Sequence, residues 1–322
     1  MTDQFGRNIN YLRISITDRC NLRCFYCMPQ QPEPLCHRDI LRYEEITRIA
    51  AQAALLGITK IRITGGEPLV RKDCPQLIAM LKQIKGIQTV AMTTNGTLLE
   101  QALPELCEAG LDAVNISIDT LQEADWCRIT GSDGNMPNWP DLLKKCIEVG
   151  LKTKVNAVLL QETREEWTQL AALAEHLPVD VRFIEQMPIG QGKISEYDTT
   201  QAVLQQLSKQ WPDLQPAEER EQNSPARYYR SKKLTGRIGM IASLSNPFCS
   251  TCNRIRLTST GQLKPCLSYG QHTDLRTLLR SGASDETLRS ALRECIYAKP
   301  RQHCFAEQTA QAEQQTMNRI GG

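Results

Sequence analysis

The chain has 322 residues, of which 41% are hydrophobic and 23% charged, a balance that excludes a chain disordered throughout and a low-complexity fibre. Its 38 Lys and Arg residues against 36 Asp and Glu residues leave a net charge of +2, too small to attract nucleic acid or an anionic membrane through a global field. No apolar run is long enough for a transmembrane helix, and the first residues lack the basic and apolar regions of a secretory signal, so we expect a cytoplasmic protein.

Short β-branched runs alternate with longer segments of helical periodicity through the first half of the chain. The runs predict strands over residues 12–17, 58–64, 89–93, 113–118, 154–159 and 181–184. The segments between them predict helices over residues 43–56, 74–85, 98–109, 141–149 and 164–175, four of which end at a glycine. This alternation is typical of βα units and a parallel sheet. We predict an α/β fold with a partial (β/α)6 barrel, although periodicity alone leaves a doubly wound sheet open.

The pattern changes after Glu185. A helix is predicted over 198–211, a polar surface connection over 212–225, a small antiparallel piece over 226–244 and a further helix over 285–297. The segment from residue 305 onward carries little apolar content, and we expect it to be poorly ordered unless it docks. The chain is therefore divided into an amino-terminal barrel, residues 1–187, and a carboxy-terminal region, residues 188–322.

Thirteen cysteines in a chain of this length favour metal or redox chemistry over a disulfide scaffold. Cys20, Cys24 and Cys27 form a C-x3-C-x2-C run just after the first predicted strand. A 4Fe–4S cluster normally takes four cysteines, so three would leave one iron open to bind something else, as a catalytic site requires. A structural zinc loop is the alternative, but no histidine lies in the run and His37 is the nearest one.

A second set, Cys249, Cys252 and Cys266, lies far along the chain. A structural zinc site is again the alternative, with a fourth ligand drawn from His272, Cys295, His303 and Cys304. Two residues beyond Cys252 comes Arg254, and two further comes Arg256. On an extended segment both side chains face the same way, and two guanidinium groups so placed suit a phosphate.

The first cysteine run, with an aromatic residue before its last cysteine, resembles the signature of radical S-adenosylmethionine (SAM) enzymes. The Gly65-Gly66-Glu67-Pro68 segment after the second strand resembles the loop with which that family holds the methionine end of SAM. The resemblance implies a 4Fe–4S cluster whose open iron chelates SAM. One electron then cleaves SAM to methionine and a 5′-deoxyadenosyl radical.

The remaining motifs resemble the GTP 3′,8-cyclase family, lyases that open molybdenum-cofactor biosynthesis. They are residues 247–257 with Cys266-Leu267, residues 182–187, and the terminal residues 317–322, and the resemblance covers roughly residues 5–322. It implies a second 4Fe–4S cluster, held by the second cysteine set in a carboxy-terminal extension, with an open iron that contacts guanine. The implied reaction abstracts hydrogen from C3′ of GTP, joins C3′ to C8 and gives 3′,8-cyclo-7,8-dihydro-GTP.

The same resemblance assigns the site residues. Catalytic roles fall to Arg13, Arg254, Arg256 and the terminal Gly321 and Gly322, whose tail reaches the active site. The implied SAM contacts are Tyr26, Gly66, Ser117 and Met187, and the implied GTP contacts are Arg13, Arg62, Thr93, Lys154, Arg254 and Arg256. Independently, several of these positions lie at the carboxyl ends of predicted strands, where ligands bind in parallel βα folds. Arg13 and Lys154 do not.

The implied partners are a flavodoxin- or ferredoxin-type electron donor, a downstream cyclic pyranopterin monophosphate synthase and a second copy of the chain in a homodimer. No nucleic-acid or membrane partner is expected. Two alternatives stay open at this point. One is a radical SAM enzyme that modifies a peptide, although such enzymes usually carry more carboxy-terminal cysteines. The other is a zinc-stabilised nucleic-acid-binding protein, supported by the mixed basic and aromatic residues 227–233. No P-loop motif is present, which disfavours a GTPase.

Overall fold

A computed structural model of the chain describes residues 1–195, 197–218, 224–305 and 312–321. The strands of this part of the chain form one sheet. They are β1 (Tyr11–Ser15), β2 (Lys60–Thr64), β3 (Thr89–Thr94), β4 (Ala113–Ser117), β5 (Lys152–Val158), β6 (Asp180–Ile184), β7 (Gln215–Pro216), β8 (Arg227–Arg230), β9 (Arg237–Ile241), β10 (Arg254–Leu257), β11 (Gln262–Lys264) and β12 (Thr273–Asp274).

The six predicted strands lie side by side in chain order and are all parallel. Because the order never reverses, this is the winding of a partial barrel and not of a doubly wound sheet. The predicted α/β barrel is thus confirmed. The carboxy-terminal region continues the same sheet at both edges: β9 pairs with β6 and β10 pairs with β1, again in parallel. The sheet therefore crosses the boundary predicted at residue 187, and the division into two domains stays a prediction.

Helices cover the sheet between successive strands. They are α1 (Tyr43–Leu55), α2 (Cys74–Lys82), α3 (Leu99–Glu108), α4 (Glu123–Thr130), α5 (Trp139–Glu148), α6 (Trp167–His176), α7 (Thr200–Gln210), α8 (Leu275–Arg280), α9 (Asp285–Tyr297) and α10 (Met317–Ile320). The sequence did not predict α4, because this eight-residue helix offers only Trp126 and Ile129 as large buried apolar residues. The predicted antiparallel piece exists as β8 against β9. Among the described residues, none of the helices is both long and apolar enough to cross a membrane.

Alternation along the strands separates the core from the site. Leu12 and Ile14 on β1, like Ile61 and Ile63 on β2, are fully buried in the main apolar core. Residues between them must point to the opposite face, since side chains alternate along a strand. Arg13 is one of them. The inner face of the sheet is therefore polar although it is enclosed, and it is this face that forms the site.

Candidate active site

One cavity of about 1110 Å³ is lined by inward-facing strand residues and by residues of both cysteine sets. The predicted site residues that line it are Arg13, Cys20, Cys24, Tyr26, Cys27, Arg62, Gly66, Thr93, Ser117, Lys154, Met187, Cys249, Cys252, Arg254, Arg256 and Cys266. Gly321 packs against Thr64, which also lines the cavity, whereas Gly322 lies outside the described residues. The fold thus brings residues from opposite ends of the chain to one place.

The first cysteine loop, residues 20–27, follows β1 and is held by the end of α4. The backbone amides of Arg23 and Phe25 donate to carbonyl oxygens at the end of that helix, at 2.7 and 3.1 Å. Burial raises the pKa of the Cys24 thiol well above its ordinary value and that of Cys27 to about 12. Since metals bind thiolates, a metal centre that binds here must displace protons from the loop.

The loop formed by residues 65–68 is fastened to the segment that leads into the first cysteine loop. The amides of Gly66 and Glu67 donate to the carbonyl oxygens of Thr17 and Arg19, both at 2.8 Å. A Cβ on Gly66 would lie only 2.4 Å from the Arg19 carbonyl oxygen. Glycine is required here because two backbone segments approach each other closely.

We expect Gly66→Ala to destabilise the protein by about 1–3 kcal/mol, since the added methyl group forces the two segments apart. The change should also weaken SAM binding, because the first cysteine loop shifts with its support. Thermal unfolding and equilibrium binding of SAM to the reconstituted protein measure both effects. Gly134→Ala is the matched control, since its Cβ would meet only the Ser132 hydroxyl, at 3.4 Å. Wild-type stability and SAM affinity in Gly66→Ala would contradict the prediction.

Tyr26, one of the implied SAM contacts, is hydrogen-bonded to Asp119. The Tyr26 hydroxyl donates to Oδ2 of Asp119 at 2.5 Å, and Oδ1 accepts from the amide of Val158 at 2.8 Å. Burial raises the pKa of Asp119 to about 6. Asp119 lines the cavity, and sequence reasoning missed it. Its position two residues beyond Ser117 was the available signal.

The second cysteine loop consists of residues 249–252 together with Cys266. These meet because β10 and β11 are antiparallel neighbours, so the residue before β10 and the residue after β11 lie at the same end. Burial alone would raise the pKa of the Cys252 thiol, but the positive charges of Arg254 and Lys299 outweigh it and lower the pKa to about 6. Cys252 is therefore prepared to act as a thiolate ligand.

Three of the four candidates for a zinc ligand are engaged elsewhere. Sγ of Cys304 donates to the Ser268 carbonyl oxygen at 3.1 Å, Cys295 is buried on α9, and Nδ1 of His272 lies 3.0 Å from the Gly270 carbonyl oxygen. His303 lines the cavity, but it faces Cys249 with its backbone amide, and its Nδ1 accepts from the amide of Phe305 at 3.4 Å. Within the described ranges, no three Cys, His, Asp or Glu side chains are close enough to hold a single metal ion. A four-iron cluster is larger, and its cysteines bind different irons, so the two sets fit clusters better than zinc.

The two cysteine loops lie at opposite ends of the strand pair β1 and β10. Cys252 precedes β10, whose Arg254 is in register with Tyr11 at the start of β1, whereas Cys20 follows the end of β1. Strands rise about 3.3 Å per residue, so the two loops are separated by on the order of 15 Å. The cavity fills this interval, which gives room for a nucleotide between two metal centres.

Arginine side chains form a row across three neighbouring strands in that interval. Arg256 on β10 is in register with Arg13 on β1, which is in register with Arg62 on β2. Burial and then the charge of Arg256 hold the pKa of Arg13 well below its ordinary value, and burial together with Arg254 lowers that of Arg256 to about 10. Buried like charges destabilise one another, and a bound anion relieves that cost. The row suits a polyphosphate.

Further cations line the same cavity. Nζ of Lys154 lies 3.0 Å from Oδ2 of Asp180 and donates to the Tyr228 hydroxyl, also at 3.0 Å. Sequence reasoning missed four others: Lys60, Lys152, Arg182 and Lys299. Lys60 stands two positions before Arg62, so the period of the strand was a signal for it. Arg182 is the first residue of the segment 182–187, one of the motifs that carry the family resemblance, but the resemblance gave it no role.

Arg182 is buried, and its Nε and Nη2 have no hydrogen-bond partner among the described residues. Burial lowers its pKa, and the neighbouring charge of Arg62 adds to that effect. A buried guanidinium group with two unsatisfied nitrogens is costly unless an acceptor binds it. Arg182 is therefore a strong candidate for contact with an anionic or carbonyl-bearing ligand.

The residues that suggested nucleic-acid binding form β8 and the turn after it. Tyr228 is only 5% exposed, and the guanidinium group of Arg237 lies 4.0 Å from the centre of its ring. An aromatic side chain enclosed in this way is not available for stacking on a base. The structure gives the nucleic-acid alternative no support.

The C-terminal tail, residues 312–321, docks beside the cavity. The Asn318 side-chain amide donates to the Asp18 carbonyl oxygen at 3.0 Å, next to the first cysteine loop. Arg256 donates from Nη1 to the Gly321 carbonyl oxygen at 2.5 Å. The tail therefore touches both the segment before the first cysteine loop and the arginine row.

Comparison with known proteins agrees with this arrangement. Residues 14–174 match the model of the Radical SAM superfamily, and residues 179–305 match the model described as Molybdenum Cofactor Synthesis C. The chain is 41% identical over 324 residues to a GTP 3′,8-cyclase of Clostridium perfringens, with 100% of both chains covered. It is 42% identical over 328 residues to a GTP 3′,8-cyclase of Pelotomaculum thermopropionicum, again with 100% of both covered.

Two further matches cover a smaller share of the other protein's length. Molybdenum cofactor biosynthesis protein 1 of Bos taurus is 42% identical over 308 residues, which are 94% of this chain and 48% of that protein. The structure of Streptococcus suis SuiB bound to the precursor peptide SuiA matches with a TM-score of 0.65 at 17% identity, over 92% of this chain and 66% of that one, which shows a common fold alone. From the full-length identities and the two matched models, the chain belongs to the GTP 3′,8-cyclase family of radical SAM enzymes.

Proposed function

We propose that this chain converts GTP to 3′,8-cyclo-7,8-dihydro-GTP, the first step of molybdenum-cofactor biosynthesis, in the cavity between its two cysteine loops. The observation that carries the proposal is that this single cavity joins the two loops through a row of arginines. As in the rest of the family, the cofactors are two 4Fe–4S clusters and SAM. When bound, the first cluster and SAM supply the 5′-deoxyadenosyl radical that abstracts hydrogen from C3′ of GTP.

The protein's own task is to hold GTP in one pose between the two loops. Arg256, Arg13 and Arg62 bind the triphosphate from the inner face of the sheet, where their shared register lets them reach one anion. Lys154 and Thr93 complete this contact. The pose places the guanine towards the second cysteine loop and the ribose towards the first. Close positioning and the exclusion of water and oxygen then favour the C3′–C8 bond over side reactions of the radical.

SAM occupies the end of the cavity beside the first cysteine loop. Gly66 allows its methionine end to approach the backbone, Ser117 is a further contact, and Met187 and Tyr26 lie near its adenosine. The hydrogen bond from Tyr26 to Asp119 holds the tyrosine in place before SAM binds. Cys20, Cys24 and Cys27 hold the first cluster, and Cys249, Cys252 and Cys266 hold the second.

We expect Arg182→Gln to raise the dissociation constant for GTP by about tenfold or more, the usual effect of losing a hydrogen bond from a buried charged group. Iron content should not change, because Arg182 lies on β6, which carries none of the six cysteines. Arg182→Lys is the matched control, because it keeps the charge but loses the planar fork of the guanidinium group. Its dissociation constant for GTP should lie between those of the wild type and Arg182→Gln. Equilibrium binding of GTP to the anaerobic protein measures the effect. An unchanged GTP affinity in Arg182→Gln would remove this residue from the site.

The assay that tests the proposed function uses the anaerobic, reconstituted protein with GTP, SAM and dithionite. We expect 5′-deoxyadenosine and the cyclic nucleotide in equal amounts, and no coupled turnover with a peptide in place of GTP. A coupled product from peptide alone would restore the peptide-modifying alternative. The similarity to SuiB does not itself support that alternative, because it shows a common fold alone.

The finer partner assignments rest on the chemistry and on the family. Each cleavage of SAM consumes one electron, so we propose a small redox protein, flavodoxin or ferredoxin, as the donor. The cyclic nucleotide must pass to a further enzyme, proposed to be cyclic pyranopterin monophosphate synthase. We also propose a cytoplasmic location and a homodimer.

A further inference from the structure

A buried ion pair lies where the C-terminal tail begins. The Lys264 side chain on β11 is fully buried, and the side chain of its partner, Glu313 in the tail, is only 3% exposed. Nζ of Lys264 also donates to the Tyr269 carbonyl oxygen at 2.6 Å. Neither residue lines the cavity, so neither is placed to contact GTP, SAM or a cluster.

The backbone around this pair holds the tail against the segment that carries the third cysteine of the second loop. Ala312 forms an antiparallel bridge with Tyr269, and the amide of Glu313 donates to the Ser268 carbonyl oxygen at 2.9 Å. The Ser268 hydroxyl in turn lies 3.4 Å from Sγ of Cys266. These contacts therefore fix the position of the start of the tail relative to the second cysteine loop.

The two ends of the tail are held by residues that are themselves cross-strand partners. Lys264 on β11 is in register with Arg256 on β10. Lys264 pairs with Glu313 at the start of the tail, and Arg256 donates to the carbonyl oxygen of Gly321 at its end. Closing a segment at both ends onto one rigid strand pair restricts where its last residues can lie.

We propose that Lys264 and Glu313 are positioning residues that set the register of the C-terminal tail and so place Gly321 beside Arg256 and the GTP site. The inference rests on the proposed function for its consequence in catalysis. The buried pair suits this task, because removal of one partner leaves an uncompensated charge and strongly disfavours the docked arrangement. A tail displaced by about 1 Å is enough to slow a reaction that depends on close positioning.

The experiment compares anaerobic full-length protein with Glu313→Gln, using hydrogen exchange of the tail and coupled turnover of GTP with SAM and dithionite. We expect the amides of residues 312–321 to exchange about tenfold faster or more. Turnover should fall by about 10²-fold, while iron content and GTP affinity stay at wild-type values. Glu286→Gln is the matched control: it removes a carboxylate from an exposed ion pair with Arg289 and should change neither readout.

A double-variant cycle separates positioning from general stability. In a Gly321→Ala background, where turnover is lowered but still measurable, Glu313→Gln should cause little further loss of turnover, because the contact that it positions is already lost. An equal loss in both backgrounds, or wild-type exchange and turnover in Glu313→Gln, would overturn the proposal. If Glu313→Gln unfolds, Glu313→Asp keeps the charge and withdraws it by one methylene. The proposal then requires a smaller but measurable increase in tail exchange and loss of turnover, and wild-type values in that variant would overturn it.

The exchange measurement also distinguishes this proposal from the proposed function. A wild-type protein that forms no product from GTP, with a tail still freed by Glu313→Gln, would refute the reaction and support the positioning pair. A wild-type protein that forms the cyclic product, with a tail unaffected by Glu313→Gln, would do the reverse.

Discussion

Cys252→Ser should abolish formation of the cyclic nucleotide while reductive cleavage of SAM continues. The first cysteine loop has its own support at the end of α4, so the first cluster should assemble without the second. Iron should fall from about eight to about four per chain, the content of one cube. The physical reason is that Cys252, with a pKa lowered to about 6, offers a thiolate at neutral pH, whereas a serine hydroxyl does not.

The measurement combines iron and sulfide analysis with separate quantification of 5′-deoxyadenosine and the cyclic nucleotide. Cys36→Ser is the matched control, because this cysteine is exposed and lies outside the cavity. It should keep both iron and activity. Full iron content together with product in Cys252→Ser would show that the second loop does not hold a cluster needed for the reaction.

Gly321→Ala should lower turnover by about 10²-fold with little effect on the stability of the fold. Gly321 has a φ of +78°, and a Cβ there would lie 2.8 Å from both Cβ of Ser15 and the hydroxyl oxygen of Thr64. The methyl group must push the tail away from β1 and β2, which removes the Gly321 carbonyl oxygen from Arg256. Because the change lies at the end of the chain, most of the core is untouched. Deletion of Gly321 and Gly322 should abolish turnover without unfolding.

Gly282→Ala provides a matched control for the backbone. Gly282 has a φ of +80°, but a Cβ there would meet nothing within 4 Å. This variant carries the same conformational cost, on the order of 1 kcal/mol, without displacing a neighbour. It should lower the melting temperature slightly and leave kcat unchanged. Equal kcat values in the two variants would show that the close packing of Gly321 has no part in turnover.

Local pattern predicted the barrel strands well. All six are displaced from their predicted limits by no more than two residues at either end; β5, for example, begins at Lys152 and ends at Val158 against a prediction of 154–159. The helix over residues 164–175 was less accurate, since it is regular only from Trp167. The segment before it, Gln161–Glu166, forms a 3-10 helix whose buried residues, Thr163 and Glu166, are three positions apart. Periodicity records which residues are buried and does not distinguish such closely related helices.

The terminal segment shows a different limit. Its low apolar content predicted poor order unless it docked, and the described part of it does dock. The contacts that hold it are polar and long-range: Lys264 with Glu313, Asn318 with Asp18, and Arg256 with Gly321. None of these has a signature in local sequence, because each partner lies on a different element of the fold.

By itself, the sequence determined the chemistry that this protein can carry: two sets of three cysteines, a glycine loop after β2, and alternating strands whose inner positions are polar. Spacing and alternation are local properties, and local sequence is sufficient for them. Only the tertiary structure decided that β10 pairs with β1. That pairing sets Arg256 in register with Arg13 and Arg62, and places the second cysteine loop at the opposite end of the strands from the first. Strand pairing between distant segments depends on how the whole sheet closes its edges, and no local pattern encodes it.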